Sequence, residues 1–154
     1  MESTDRAIQE LLGLARAAAE RAYCPYSGFP VGAAVLLDDD TTFAGANVEN
    51  VSFGLTLCAE RVAMAAAVAA GHRRLVAAVI YTPTDAPTPP CGACRQFLSE
   101  FGPGAEVFSF CRGEAVFQAV LADLLPASFA GPNLAPTASD SIAQGRGSGS
   151  GSRQ

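Results

Sequence analysis

The chain has 154 residues, enough for one domain with a single core, and carries 15 acidic against 10 basic side chains, a net charge of −5. An acidic chain without a basic run is not built to grip long nucleic acid, where phosphate contacts supply most of the affinity; no stretch reaches the roughly 18 apolar residues of a membrane span, and residues 1–5 lack the basic-then-apolar order of a signal peptide. A soluble cytoplasmic protein is expected, and 49% hydrophobic against 16% charged residues leads us to expect that other subunits cover part of its apolar surface.

Residues 4–21 read as an amphipathic helix, with Thr4 as N-cap and Ile8, Leu11, Leu12, Ala15, Ala18 and Ala19 as one apolar stripe. Pro25 forbids its continuation. The loop over 23–30, Tyr-Cys-Pro-Tyr-Ser-Gly-Phe-Pro, is too apolar for a solvated linker. A loop packed on the core and a binding-site wall are equally good readings of it. Residues 31–37 are a continuous apolar run, as in a strand covered on both faces. Asp38, Asp39 and Asp40 make a solvated hairpin tip, and residues 42–48 return as the partner strand.

An Ala-rich helix over 57–70 stops at Gly71, and the lone His72 reads as a surface residue interacting with the helix dipole rather than a ligand. A strand over 75–82 leads into residues 83–90, a stiff loop with four prolines. A short helix over 91–101 buries Leu98 and Phe101. Strands follow over 106–110 and 115–120, the second of which could instead begin a helix, and then one helical turn over 122–125. This order predicts an α/β fold, a three-layer α-β-α sandwich with one mixed five-stranded sheet. The domain is expected over 1–134, and the Gly/Ser-rich stretch over 135–154 is expected to be a disordered tail.

Five cysteines is an odd number, and two have Cys-x-x-Cys spacing, which in a reducing compartment suggests metal or redox chemistry over a disulfide framework. Cys91 and Cys94 stand at i and i+3 of a helix start, so their sulfurs share one face. Cys58 begins another helix. Helix N-termini favour thiolate over thiol. Three thiolates around zinc leave one tetrahedral position open, as in catalytic sites; a structural site would be closed by a fourth ligand. Glu60, two residues after Cys58, would lie beside the metal without binding it, free to move protons. Arg61 is a candidate donor to the cysteine sulfurs, offsetting the negative charge of a three-thiolate site.

Cys-Ala-Glu at a helix start, followed some thirty residues later by Pro-Cys-x-x-Cys, is a strong signal for a zinc deaminase. The chain resembles the homotetrameric type of cytidine deaminase. The matching stretches are 22–27 (Ala-Tyr-Cys-Pro-Tyr-Ser), 29–34 (Phe-Pro-Val-Gly-Ala-Ala), 47–50 (Asn-Val-Glu-Asn), 58–61 (Cys-Ala-Glu-Arg), 90–96 (Pro-Cys-Gly-Ala-Cys-Arg-Gln) and 124–129 (Leu-Leu-Pro-Ala-Ser-Phe).

The resemblance implies a cytidine deaminase-like fold. It also implies one Zn2+ per subunit held by Cys58, Cys91 and Cys94, with Glu60 as the proton shuttle between water at the metal, the cytosine ring nitrogen and the leaving ammonia. Asn47 and Glu49 would hold the ribose hydroxyls, Phe29 would lie against the base, and the backbone of Ala59 would read the pyrimidine edge. Phe53 and Phe129 match the aromatics that the family supplies from neighbouring subunits. The family more often has Tyr where this chain has Phe53.

The implied reaction is hydrolytic deamination of cytidine and 2′-deoxycytidine in pyrimidine salvage. Deamination of a modified nucleoside such as blasticidin S is a related reading; Asn47 and Glu49 together favour an ordinary ribose. A non-catalytic structural zinc module is a different class, and Glu60 argues against it. Editing of RNA or DNA lacks a basic groove.

Overall fold

A computed structural model of the chain describes residues 2–131. The first helix, α1 (Glu2–Ala19), is followed by a hairpin of β1 (Gly32–Leu37) and β2 (Thr42–Ala46) and a 3-10 turn at Phe53–Leu55. Then come α2 (Ala59–Ala69), β3 (Leu75–Tyr81), α3 (Gly92–Ser99), β4 (Glu106–Phe110), β5 (Val116–Val120) and the single turn α4 (Leu121–Leu124). The five strands form one sheet in the order β2-β1-β3-β4-β5, parallel only between β3 and β4 and therefore mixed.

Helices cover both faces of this sheet because each central strand is apolar on both sides. Ala33, Val35 and Leu37 of β1 join Ala78 and Ile80 of β3 under α2 and α3. The alternate residues Ala34, Ala77 and Val79 pack with Phe108 against Ile8, Leu11, Leu12 and Ala15 of α1. The expected stripe on α1 is buried throughout. Truncating a buried leucine such as Leu11 to Ala would cost about 2–5 kcal/mol. The helix itself runs from Glu2, two residues before the expected cap at Thr4, since neither Gly nor Pro stands there to stop it. The segment 116–120, ambiguous in sequence, is a strand: it pairs antiparallel with β4.

Two glycines matter for placement. Gly71, with φ of 101°, ends α2. The N–H of His72 bonds Ala67 O and that of Gly71 bonds Val68 O, the paired closure that a left-handed residue allows. The His72 ring, instead of resting on the helix end, reaches Asp39 at the hairpin tip, Nδ1 to Oδ2, 2.7 Å. Gly45 on β2 lets α2 approach closely: a Cβ there would lie 2.5 Å from Ala63 N and 2.8 Å from Ala59 O.

The strand register gathers the remaining loops at one end of the sheet. Gly32 pairs with Ala46 on one side and Tyr81 on the other, so the start of β1 and the ends of β2 and β3 are level. Residues 29–31, 47–49 and 82–91 leave the sheet at that level. Bridges from Val48 to Tyr23 and Leu57 bring in the aromatic loop and the start of α2. The domain boundary expected after residue 134 and the tail expected over 135–154 lie outside the described residues.

Candidate active site

Cys58 is the N-cap of α2 and Cys91 the N-cap of α3. Cys94 lies one turn into α3, where its N–H donates to Cys91 Sγ at 3.4 Å. The three sulfurs lie within 4.8 Å of one another, the single such ligand cluster among the described residues. Cys58 Sγ and Cys91 Sγ are 3.8 Å apart. That is too far for a disulfide, and it matches the edge of about 3.8 Å in a tetrahedron whose Zn–S bonds are about 2.3 Å.

The charges fit a cation as well. Hydrogen bonding with Cys94, then with Arg61 and Cys91, pulls the Cys58 thiol from 9.0 down to about 5. Cys94 is pushed the other way, first by its hydrogen bond to Cys58 and then by burial. Thiols this close cannot all ionise unless a positive ion sits among them. Two helix N-termini point at the cluster and favour negative sulfur. Arg61 Nη2 donates to Thr56 O at 2.9 Å and to Cys58 Sγ at 3.6 Å, and that bond to Cys58 holds its guanidinium above the usual basicity.

Beside the sulfurs opens a cavity of about 370 Å³. Cys58, Ala59, Glu60 and Cys91 form its inner wall, and Phe29, Asn47 and Glu49 lie on the same lining. The loop over 23–30 forms one wall of this cavity: its Ser27 and Phe29 line it. Glu60 is 4% exposed, and burial, reinforced by the Cys58 charge, raises its carboxyl above the usual 4.5. A larger hollow between α1 and β4–β5 contains no thiol and no histidine.

Asn47 and Glu49 are already engaged by the chain itself. Asn47 Oδ1 accepts from Val31 N and its Nδ2 donates to Phe29 O, each at 2.9 Å. Glu49 accepts from the N–H groups of Tyr26 and Ser27 and from the Ser27 hydroxyl. Asn47 keeps one donor and one acceptor position for a ligand, and Glu49 one acceptor position.

Phe53 stands at the rim, 72% exposed, with its ring edge-on to Tyr26 at 5.5 Å. It lines a small hollow that shares Ser27, Glu49 and Thr56 with the main cavity. Phe129 is not on the cavity lining. Its ring is 74% exposed, while its carbonyl accepts from Gln96 Nε2 at 2.8 Å. Sequence reasoning missed Ser27, although it lies in a quoted motif, and also Ile80, Thr82 and Thr88, which line the cavity and belong to no recognisable pattern.

An α-β-α fold that brings three thiols and one buried carboxylate to a cavity defines a zinc-dependent hydrolase. Residues 5–110 match the family described as the cytidine and deoxycytidylate deaminase zinc-binding region. A cytidine deaminase of Halalkalibacterium halodurans is 43% identical over 122 residues, 79% of this chain and 92% of that protein. One from Mycobacterium tuberculosis is 46% identical over 119 residues, 77% of this chain and 86% of the relative. The crystal structure of the Burkholderia pseudomallei cytidine deaminase superposes with a TM-score of 0.75 at 45% identity, over 79% of this chain and 98% of that one. The chain belongs to the cytidine deaminase family, and each subunit takes one zinc ion.

Proposed function

We propose that the protein converts cytidine and 2′-deoxycytidine, with water, to uridine and 2′-deoxyuridine and ammonia. The observation that carries this reading is Glu60: a buried carboxylate on the same cavity lining as Cys58 and Cys91, two of the three clustered sulfur residues. Zinc, held by Cys58, Cys91 and Cys94, supplies the Lewis acidity that makes water a nucleophile near neutral pH. Glu60 takes one proton of the attacking water and passes it to the ring nitrogen; it then takes the second from the hydroxyl now on the ring carbon, as that becomes the carbonyl, and gives it to the amine, which leaves as ammonia. Its raised affinity for protons suits a group that must both accept and donate.

Phe29 packs against the base, and the Ala59 backbone at the start of α2 reads the pyrimidine edge. Asn47 and Glu49 bind the ribose hydroxyls through the positions their own chain leaves open. Arg61 steadies the Cys58 sulfur. The exposed rings of Phe53 and Phe129 support a homotetramer in which neighbouring subunits complete each site. A cytoplasmic place in pyrimidine salvage fits a free-nucleoside substrate; no helix among the described residues is long and apolar enough to cross a membrane.

The test is an ammonia assay on cytidine beside a zinc count per chain. Turnover that scales with zinc content supports the reading. A zinc-loaded, folded protein that releases no ammonia from either nucleoside would overturn it.

A further inference from the structure

Thr82 follows β3, is fully buried, and lines the cavity, yet the chemistry above makes no use of it. Its Oγ1 lies 2.8 Å from Thr84 Oγ1 and 3.4 Å from Thr88 Oγ1, and Thr84 Oγ1 donates to Ala86 O at 2.7 Å. A hydroxyl has one proton to give. Thr84 gives its proton to Ala86, so toward Thr82 it accepts. Thr82 has then spent its own proton, so Thr88 donates to it. The hydrogen bonds run one way: Thr88 to Thr82 to Thr84 to the Ala86 carbonyl.

This relay ties both ends of the proline loop to the sheet. Thr82 is the fixed point, since its N–H donates to Phe110 O at 3.2 Å and extends the ladder between β3 and β4. After Thr88 come Pro89 and Pro90, whose rings fix φ and transmit position with little slack. The next residue is Cys91. Among the three sulfur residues Cys91 is the exposed one, while Cys94 is buried and Cys58 half-buried. Packing therefore fixes Cys91 least, and its loop has the most to do. On the other side Arg95 Nε holds the Pro90 carbonyl at 2.8 Å, so the segment is gripped from both flanks.

We propose that Thr82 is a positioning residue for the metal site: through Thr88 and the two prolines, its hydroxyl holds Cys91 at the spacing from Cys58 that zinc requires. The inference rests on the reading of Cys91 as a zinc ligand. It assigns the effect to the hydroxyl and not to the methyl group, which serine lacks and valine keeps.

The experiment follows zinc release from the holoenzyme to a colorimetric chelator, with folding checked by circular dichroism. Thr82→Val releases zinc about tenfold faster or more, the scale on which partners of metal ligands act. Thr82→Ser keeps the wild-type rate, a rescue that a purely space-filling role would not give. Thr88→Val, which removes the donor to Thr82 and so breaks the same link from the Cys91 side, also speeds release and carries the test if Thr82→Val does not fold. Cys91→Ser is the control and loses its zinc. If Cys91→Ser is zinc-free while folded relay variants release zinc at the wild-type rate, the proposal is overturned. If Cys91→Ser keeps its zinc, the ligand assignment itself falls, and the proposal with it.

Discussion

Cys58 and Cys91 lie 33 residues apart in the chain and hold their Sγ atoms 3.8 Å apart. Thiolates held this close are favourable only around a cation. Chelating the zinc is therefore expected to stop ammonia release and to lower the thermal midpoint together, with both restored when zinc is returned. Calorimetry and an ammonia assay on the same sample read the two effects. Full turnover after complete chelation would rule out the metal's part.

Glu60 separates catalysis from structure. On the proposed reading Glu60→Gln keeps the shape and removes the proton carrier, so kcat is expected to fall by roughly 10²–10⁴-fold, the usual worth of a positioned acid–base group. Zinc content should stay at one ion per chain, because Glu60 is not among the clustered ligands. Elemental analysis beside steady-state kinetics decides it, and undiminished turnover would remove Glu60 from the mechanism.

Asn47 braces its own loop and, on the proposed reading, also binds the ribose, so its removal should show in both. Its side chain bonds Val31 N and Phe29 O, groups that Asn47→Ala would leave without partners. The expected loss is about 1–3 kcal/mol of stability for a buried polar group left unpaired, with a raised KM for cytidine. Urea unfolding and initial rates measure the two separately. A stability loss without any change in KM would confine Asn47 to holding the loop.

Glu49 gives a pH signature away from the metal. The Ser27 hydroxyl, and after it the N–H groups of Tyr26 and Ser27, hold its carboxyl below the usual 4.5. A depressed carboxylate contributes its stabilisation above the unfolded pKa and loses it as pH falls through the folded one. The loop over 23–30 should therefore stay ordered down to pH 4.5 and loosen only below it. Ser27→Ala should move the Glu49 titration upward toward the ordinary range, as read by carboxyl carbon NMR. An unchanged titration would mean that the hydroxyl contributes nothing.

Gly45→Ala should damage the site from a distance. The added Cβ meets backbone atoms of Ala63 and Ala59, which cannot swing aside, so α2 must move as a body. Overpacking of this kind costs about 1–3 kcal/mol. Since α2 begins at Ala59, directly after Cys58, the shift should also weaken zinc binding, measured by competition with a chelator. A variant with wild-type zinc affinity would show that the helix start moves independently of β2.

The amino-acid sequence alone determined the elements and the three clustered thiols, because both are written locally. A stripe recurring every three or four residues marks α1, apolar runs mark β1 and β3, and Cys-Ala-Glu with Pro-Cys-x-x-Cys marks the metal chemistry. The start of α1 and the ends of α2 and α3 were less legible, since propensity changes little across the last turn.

Only the tertiary structure decided who meets whom. The sheet register brings residues 29–31, 47–49 and 82–91 to one level. Asn47 proves to be a brace for the backbone of Phe29 and Val31, Ser27 a partner of Glu49, and Thr82 the anchor of the loop before Cys91. His72 is drawn to Asp39 rather than to its own helix end. None of these pairs follows from spacing, because a hydrogen bond between distant residues depends on where the sheet and its loops place them in space.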